Sequence, residues 1–390
     1  MDLIQAPYGD YWRQLRRVAT LELLTAKRVR SLGRVREAEV RALVRSIAVA
    51  STATAGATID LTRMLFSLTY RIISMSTFGD VSRGQEEFIK VAEELVEYAG
   101  GFKVAYLFPS NALVQRLSGT EEFLDGIQKV VDRLAESMIG QHQARRAAQG
   151  GKSMSEEEEE HLLDVLLNLQ ENGDTLGFHL STDAVKGFLL DIFLAGSETP
   201  AALIEWAISE MIKNPEVMYK AQSEVRRVFS EKGRVEEARI SELAYLKLVI
   251  KETVLPRECR EECHISGYHI PLKTRILVNV WAIARDPRYW GEEAEKFLPE
   301  RFLNNKVSFR GGDFEFLPFG AGRRMCPGMT FGLAAAELTL ANLLFHFDWK
   351  LPREVEATSF NMDEKFGVTL RRENHLELIP VIRYNPLPSI

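Results

Sequence analysis

Residues 314–345 read FEFLPFGAGRRMCPGMTFGLAAAELTLANLLF, and this stretch decides how the rest of the chain is understood. Cys326 is followed by Pro327 and Gly328 and then by an apolar run to Phe345. Proline at a first helical turn is a start signal, so the spacing predicts a helix with Cys326 at its N-terminus. Unpaired N–H groups and the helix dipole favour an anion there, which predicts a sulfur held as thiolate. The loop ahead of it carries Gly320, Gly322 and the adjacent Arg323 and Arg324. Glycines let backbone approach a bulky planar partner while a guanidinium reaches its acidic edge. Together these are what a metalloporphyrin requires: a soft axial ligand, room for the ring and a cation for a propionate. The competing reading of a lone cysteine is an inert buried one.

Working outward, apolar residues recur three and four apart as far as about position 255. This predicts helices over 10–30, 34–50, 60–78, 84–100 and 120–148, with the glycine- and glutamate-rich 145–160 as a solvated loop. The segment LSTDAVKGFLLDIFLAGSETPAALIEWAISEMIKNP (180–215) has Ser181 and Thr182 as N-cap candidates and stops at Asn214-Pro215. Its roughly 30 residues would span about 45 Å and cross a whole domain. It is apolar on several faces and therefore central, yet Gly196 and Pro200 sit in its middle. Such local violations collect at functional sites; a tolerated kink is the bland alternative. Further on, HISGYHIP and RILVNVWAIA, beginning at 264 and 275, and LELIPVI at 376–382 predict strands. Residues 286–325 predict irregular coil of a length that is usually functional. The fold class is mainly α with a small β portion, in a single domain over 1–390.

Composition closes off other classes. Of 390 residues 46% are apolar and 27% charged, the proportions of a chain that buries a full core, which excludes disordered and fibrous proteins. A net charge of −6 leaves no basic excess for phosphates, so no nucleic-acid partner is expected. Three cysteines cannot build a disulfide framework and no signal peptide opens the chain, which fits a reducing compartment. No run of 18 apolar residues occurs, and the best candidate, 331–345, carries Glu337, so no bilayer span is expected.

Phe319, Gly322, Arg324, Cys326 and Gly328 stand in the spacing F-x-x-G-x-R-x-C-x-G, which resembles the haem-binding signature of the cytochrome P-450 family. The resemblance extends over nearly the whole chain and points to plant A-type members of terpenoid and other specialised metabolism. YWRQLRR at 11–17, AGSET at 195–199, KET at 251–253, PERF at 299–302 and the ending FGVTLRRENHLELIP all carry it. It implies haem b with Cys326 as axial ligand of the iron. Arg324, Trp12, Arg16 and Arg257 would stand by the propionates, and Ala195 and Gly196 would leave space over the metal. It also implies Glu198 and Thr199 as the acid and alcohol that deliver protons to the distal oxygen. The implied reaction is monooxygenation of a small lipophilic substrate, most terpenoid-like, by a monomer using O2 and electrons from NADPH-cytochrome P-450 reductase. That partner would dock near Cys326 on Arg323, Lys220, Arg226 or Arg227.

Two departures from the family stand out. Its anchor, hinge, first helices and first strands should precede the Trp12 helix, where this chain has eleven residues. The family's endoplasmic reticulum tether on the cytoplasmic face is thus expected to be missing and the chain to be soluble or peripheral. Position 255, where an arginine three after Glu252 is expected, is leucine, which suggests a deletion near 254–255. Glu252, that arginine and Arg301 would form a buried ion network, and removing one member of such a network costs about 3–5 kcal/mol; Glu252 and Arg301 pairing directly would lessen the loss. The alternative function is therefore a non-catalytic or unstable haem-binding remnant. A rival of another class is a zinc site from Cys259, Cys263, His264 and His269, against which the strand-like HISGYHIP argues.

Overall fold

The segment 180–215 forms one helix, Thr182–Lys213, running 32 residues without interruption. In this computed structural model the described residues are 3–4, 6–53, 56–79, scattered positions in 87–98, 112–148, 160–171, 179–253, 257–259, 263–265, 268–270, 276–352, 359–365 and 369–386. Ser181 starts the helix, its hydroxyl accepting from the Ala184 N–H at 3.2 Å, and Asn214 ends it ahead of Pro215, which opens Pro215–Phe229. Phe188, Phe193, Ile204, Ala207, Ile208 and Met211 are buried around its circumference, and a helix apolar on all sides belongs in a core. Leu61–Phe78 packs along it most extensively, and Met329–His346 and Pro215–Phe229 lie on other sides. Gly33–Ala53 covers Leu61–Phe78 and Met329–His346 from outside.

Close approach explains Gly196. A Cβ there would lie 2.6 Å from Ile73 Cδ1 on Leu61–Phe78. Gly196 thus allows close helix-to-helix contact on its Ile73 side. Thr69, one turn earlier on that helix, places its hydroxyl 2.6 Å from the Ser197 carbonyl. Pro200 causes no break. It supplies no N–H to the Gly196 carbonyl, and the helix continues because both flanks are packed in the core.

Three expectations change. The helix expected over 10–30 is divided into Asp10–Val18, a wide turn at Ala19–Leu23 and Ala26–Ser31. The Thr20 hydroxyl bonds back to the Arg16 carbonyl at 2.8 Å and Thr25 caps a fresh start by accepting from the Arg28 N–H; local side-chain bonds of this kind compete with helix continuation. The strand expected from 275 is only Ile276–Val278, because the Asn279 side chain caps a helical turn, Val280–Ile283. Two helices, Thr182–Lys213 and Met329–His346, are long and apolar enough to cross a bilayer, but their apolar faces are spent inside the protein core. The helix expected over 84–100 lies largely outside the described residues. Helix 34–50 appears as Gly33–Ala53, 60–78 as Leu61–Phe78 behind an Asp60 cap, and 120–148 as Thr120–Ala148. The coil over 286–325 is interrupted by single turns at Pro287–Trp290, Pro299–Phe302 and Gly322–Arg324.

The β portion is small. Glu377–Ile382 lies between Ile59–Asp60 and Phe347–Lys350, antiparallel to both, with Ile59 opposite Leu378 and Phe347 opposite Ile382. This ties the C-terminal strand to the starts and ends of the core helices.

Gly196→Ala is expected to lower stability by about 1–3 kcal/mol despite alanine's better helix propensity, because Ile73 must move. Thermal unfolding of Gly196→Ala, Ile73→Val and the double variant checks this. The double variant should lose less than the two singles together, since Ile73→Val removes the clashing methyl.

Candidate functional site

The Cys326 N–H donates to the Phe319 carbonyl at 2.9 Å and closes the loop between them. Gly320 and Gly322 turn that loop with φ of 70° and 66°, a region in which only glycine is unstrained. A Cβ on Gly322 would meet nothing within 4 Å, so this flank of the loop is open. The Phe319 ring packs edge-on against Phe309, 5.7 Å between centroids. Cys326 is half-buried and makes no disulfide. The following helix begins at Met329 with Gly328 as its N-cap, so Pro327 does not start it. Cys326 thus stands two residues ahead of the N-cap. A Cβ on Gly328 would come within 3.9 Å of Cys326 Sγ.

Asp10–Val18 brings its aromatic face to this loop. The Arg324 guanidinium lies 4.5 Å over the Trp12 ring and donates to the Ala6 carbonyl at 2.5 Å and the Ile4 carbonyl at 3.2 Å. Trp12 is buried, and Arg16, one turn further on, is half-buried. Arg323 is exposed and stacks 4.1 Å over Tyr8. Of the other cations expected to meet a partner, Lys220 is paired with Glu300 at 2.6 Å, and Arg226 with Asp348 at 2.7 Å and with the Phe347 carbonyl. Arg227 is exposed. Three of the four, Arg323 on Tyr8 included, are therefore engaged within the chain.

The core helix presents one open stripe. Ala195 and Thr199, one turn apart, are exposed although Phe193, Glu198, Pro200 and Ala201 around them are buried. The Thr199 hydroxyl donates to the Ala195 carbonyl at 2.7 Å, which leaves its oxygen able to accept. Glu198 does not share that face, since consecutive helical residues point about 100° apart. Its carboxylate is 4% exposed and ion-paired with Arg371, Oε1 to Nε 2.7 Å. Glu198 and Thr199 thus point to different surroundings. Met329–His346 packs on this helix where a Cβ on Gly332 would sit 3.7 Å from the Pro200 ring. The cysteine loop and the open stripe therefore belong to one neighbourhood.

Glu252 Oε1 lies 3.0 Å from Arg301 Nε, each side chain 11% exposed. Arg301 also donates to the Glu293 and Lys296 carbonyls. Burial pushes the Glu252 carboxyl up to about 7, against the pull of Arg301. Residues 254–256, including the expected deletion point, lie outside the described residues. Arg257 is on a short strand, Arg257–Cys259, and Cys263 and His264 on another that faces Tyr268–Ile270, His264 opposite His269; the side chains of these residues lie outside the described ones. No cluster of three metal-ligating side chains occurs among the described residues.

Comparison with known proteins agrees with this geometry. The cytochrome P450 family matches residues 2–377, and the chain belongs to that family of haem-dependent monooxygenases, whose cofactor is thiolate-ligated haem iron. A desmethyl-deoxy-podophyllotoxin synthase from Sinopodophyllum hexandrum is 48% identical over 386 residues, 97% of this chain and 74% of that protein. A germacrene A hydroxylase from Barnadesia spinosa is 44% identical over 388 residues, 97% of this chain and 75% of its own length. A germacrene A hydroxylase from Lactuca sativa is 44% identical over 388 residues, 97% and 76%. The residues present fit haem: an unbridged half-buried thiol, an open glycine flank, a guanidinium on a buried tryptophan and an uncovered stripe within a core helix. Thr69 and Arg371, which hold the 197–198 turn, carry no signal in sequence because their contacts span 128 and 173 positions.

The Glu252 shift has a pH consequence. The folded carboxyl binds its proton more tightly than the unfolded one at 4.5, so between about 4.5 and 7 the folded state holds more protons. Stability is full below that window and falls as pH rises through it, by about 3 kcal/mol in all. Thermal unfolding between pH 5 and 8 should show this slope in the parent and lose it in Glu252→Gln.

Proposed function

We propose that this chain inserts one atom of O2 into a small lipophilic specialised metabolite, terpenoid-like, using electrons from an NADPH-dependent reductase at the cytoplasmic face of the endoplasmic reticulum. The observation that carries the proposal is Cys326, a half-buried sulfur without a disulfide at the end of a glycine loop, just ahead of the helix that packs on the core helix near Pro200. Haem, when bound, supplies O2 activation at an iron whose thiolate ligand favours O–O cleavage.

The chain's own residues do the rest. Cys326 holds the cofactor by its sulfur, within a loop shaped by Phe319, Gly322 and Gly328. Arg324, Trp12 and Arg16 would hold its acidic edge, and Arg257 is assigned there by the family pattern. Ala195, the smallest residue on the stripe, leaves room for O2 and substrate. Thr199 can accept a hydrogen bond there while its own O–H donates to the Ala195 carbonyl. Glu198, the acid of the family pattern, is assigned the proton that passes to this face. Arg323, exposed on Tyr8, offers a cation to the electron donor. Terpenoid chemistry as the substrate class is supported by the two germacrene A hydroxylases among the relatives.

The ferrous carbon monoxide difference spectrum of the purified chain tests the ligand: a thiolate-type band is expected, lost in Cys326→Ser. Absence of haem uptake by the parent would support the non-catalytic remnant instead. Thr199→Ala is expected to keep consuming NADPH while product falls by about tenfold or more. Supplying germacrene A and reductase and measuring both quantities checks this, and fully coupled turnover would remove Thr199 from the role.

A further inference from the structure

Arg36, on the helix Gly33–Ala53, is fully buried, and a guanidinium shut away from water needs a reason. Four elements meet on it. Its Nε donates to Glu237 Oε2 at 3.1 Å and its Nη2 to Glu237 Oε1, on the short helix Glu237–Glu242. Nη2 also donates to the Val29 carbonyl at 2.7 Å, on Ala26–Ser31. The guanidinium lies 5.6 Å from the ring centroid of Phe331, on Met329–His346. Glu237 is fixed in turn, since its backbone N–H donates to Glu37 Oε1 at 3.0 Å.

Stability does not account for this pair. Removing two charges from water offsets most of their attraction, and apolar side chains of similar volume commonly hold a fold as well or better. A forked ion pair supplies what an apolar contact lacks, a seat that cannot slide. On that seat lies the start of the helix that follows the cysteine loop. Phe331 is buried and is the third residue of Met329–His346, and beside it the Gly332 N–H donates to the Gly328 carbonyl at 2.9 Å. Gly328 is the residue whose Cβ would come within 3.9 Å of Cys326 Sγ. One hydrogen-bonded turn thus joins the guanidinium's seat to the sulfur. We propose that Arg36 is a positioning residue for Cys326: with Glu237 it fixes Phe331, and through it the turn that holds the sulfur in place as an iron ligand. This rests on Cys326 being the axial ligand. Groups that orient a metal ligand from behind govern how firmly that ligand stays bound.

The test uses the haem-loaded full chain and the variants Arg36→Met with Glu237→Met, Phe331→Leu, all three substitutions together, and Cys326→Ser. The methionine pair leaves no lone charge behind, and leucine removes the ring face while keeping the ion pair. Two quantities are read without turnover: the rate at which the thiolate-type band of the ferrous carbon monoxide complex decays to that of haem lacking the thiolate, and the thermal midpoint. The methionine pair is expected to speed the decay about tenfold while keeping the midpoint or raising it. Phe331→Leu should speed the decay as well, and the triple variant should be no faster than the quicker of the two, because both act through one contact. If the methionine pair decays at the parent's rate, or faster only together with a lowered midpoint, the inference is overturned and the ligand reading stands. If the parent shows no thiolate-type band, or Cys326→Ser keeps it, the ligand reading itself fails and the inference goes with it. Should the methionine pair not fold, Arg36→Gln with Glu237→Gln takes its place in the same comparison.

Discussion

A single helix has to be the centre of the core and one wall of a reaction chamber, and most of this structure follows from that double demand. Burial on nearly every side of Thr182–Lys213 requires neighbours at close range, which Gly196 permits by letting Ile73 in. The chamber requires the opposite on one stripe, where Ala195 and Thr199 stay uncovered. The two requirements meet within five residues. Polar side chains are tolerated there because each has a partner: Ser197 and Thr199 bond back to the carbonyls of Phe193 and Ala195, and Glu198 is held by Arg371. Buried polar groups persist only when satisfied in this way.

The cysteine loop is governed by a different constraint, the need for backbone to turn sharply beside a bulky flat partner. Its glycines in the left-handed region and its closing bond from Cys326 to Phe319 meet that need locally. Its placement does not come from the loop. Met329–His346 sets it by packing on the core helix near Pro200, and Arg324 sets it by lying on Trp12. Behind these, Glu252 and Arg301 form a buried pair whose carboxyl, raised to about 7 by burial, is about half-ionised near neutral pH. Such a pair orients PERF more than it stabilises the fold, since desolvation offsets much of the attraction.

What could be read in advance was read through periodicity and spacing. The long helix, its Ser181 cap and its Asn214 end follow from a local pattern of apolar and capping residues, and the loop chemistry follows from five residues within ten positions. The misreadings have equally local causes. Thr20, Thr25 and Asn279 use short side chains to interrupt or start helices where hydrophobic pattern alone suggests continuity. Pro327 has the look of a first helical residue, but Gly328 takes the capping position after it.

By itself, the sequence determined which residues are helical and apolar and which single sulfur stands in a glycine loop beside arginine, because those properties depend on neighbours a few positions apart. Tertiary structure alone decided that Gly196 faces Ile73, that Glu198 and Thr199 point to different environments, and that Arg371 meets Glu198. Those facts depend on how helices rotate and approach one another, and side chains 173 positions apart share no local pattern from which their contact could be inferred.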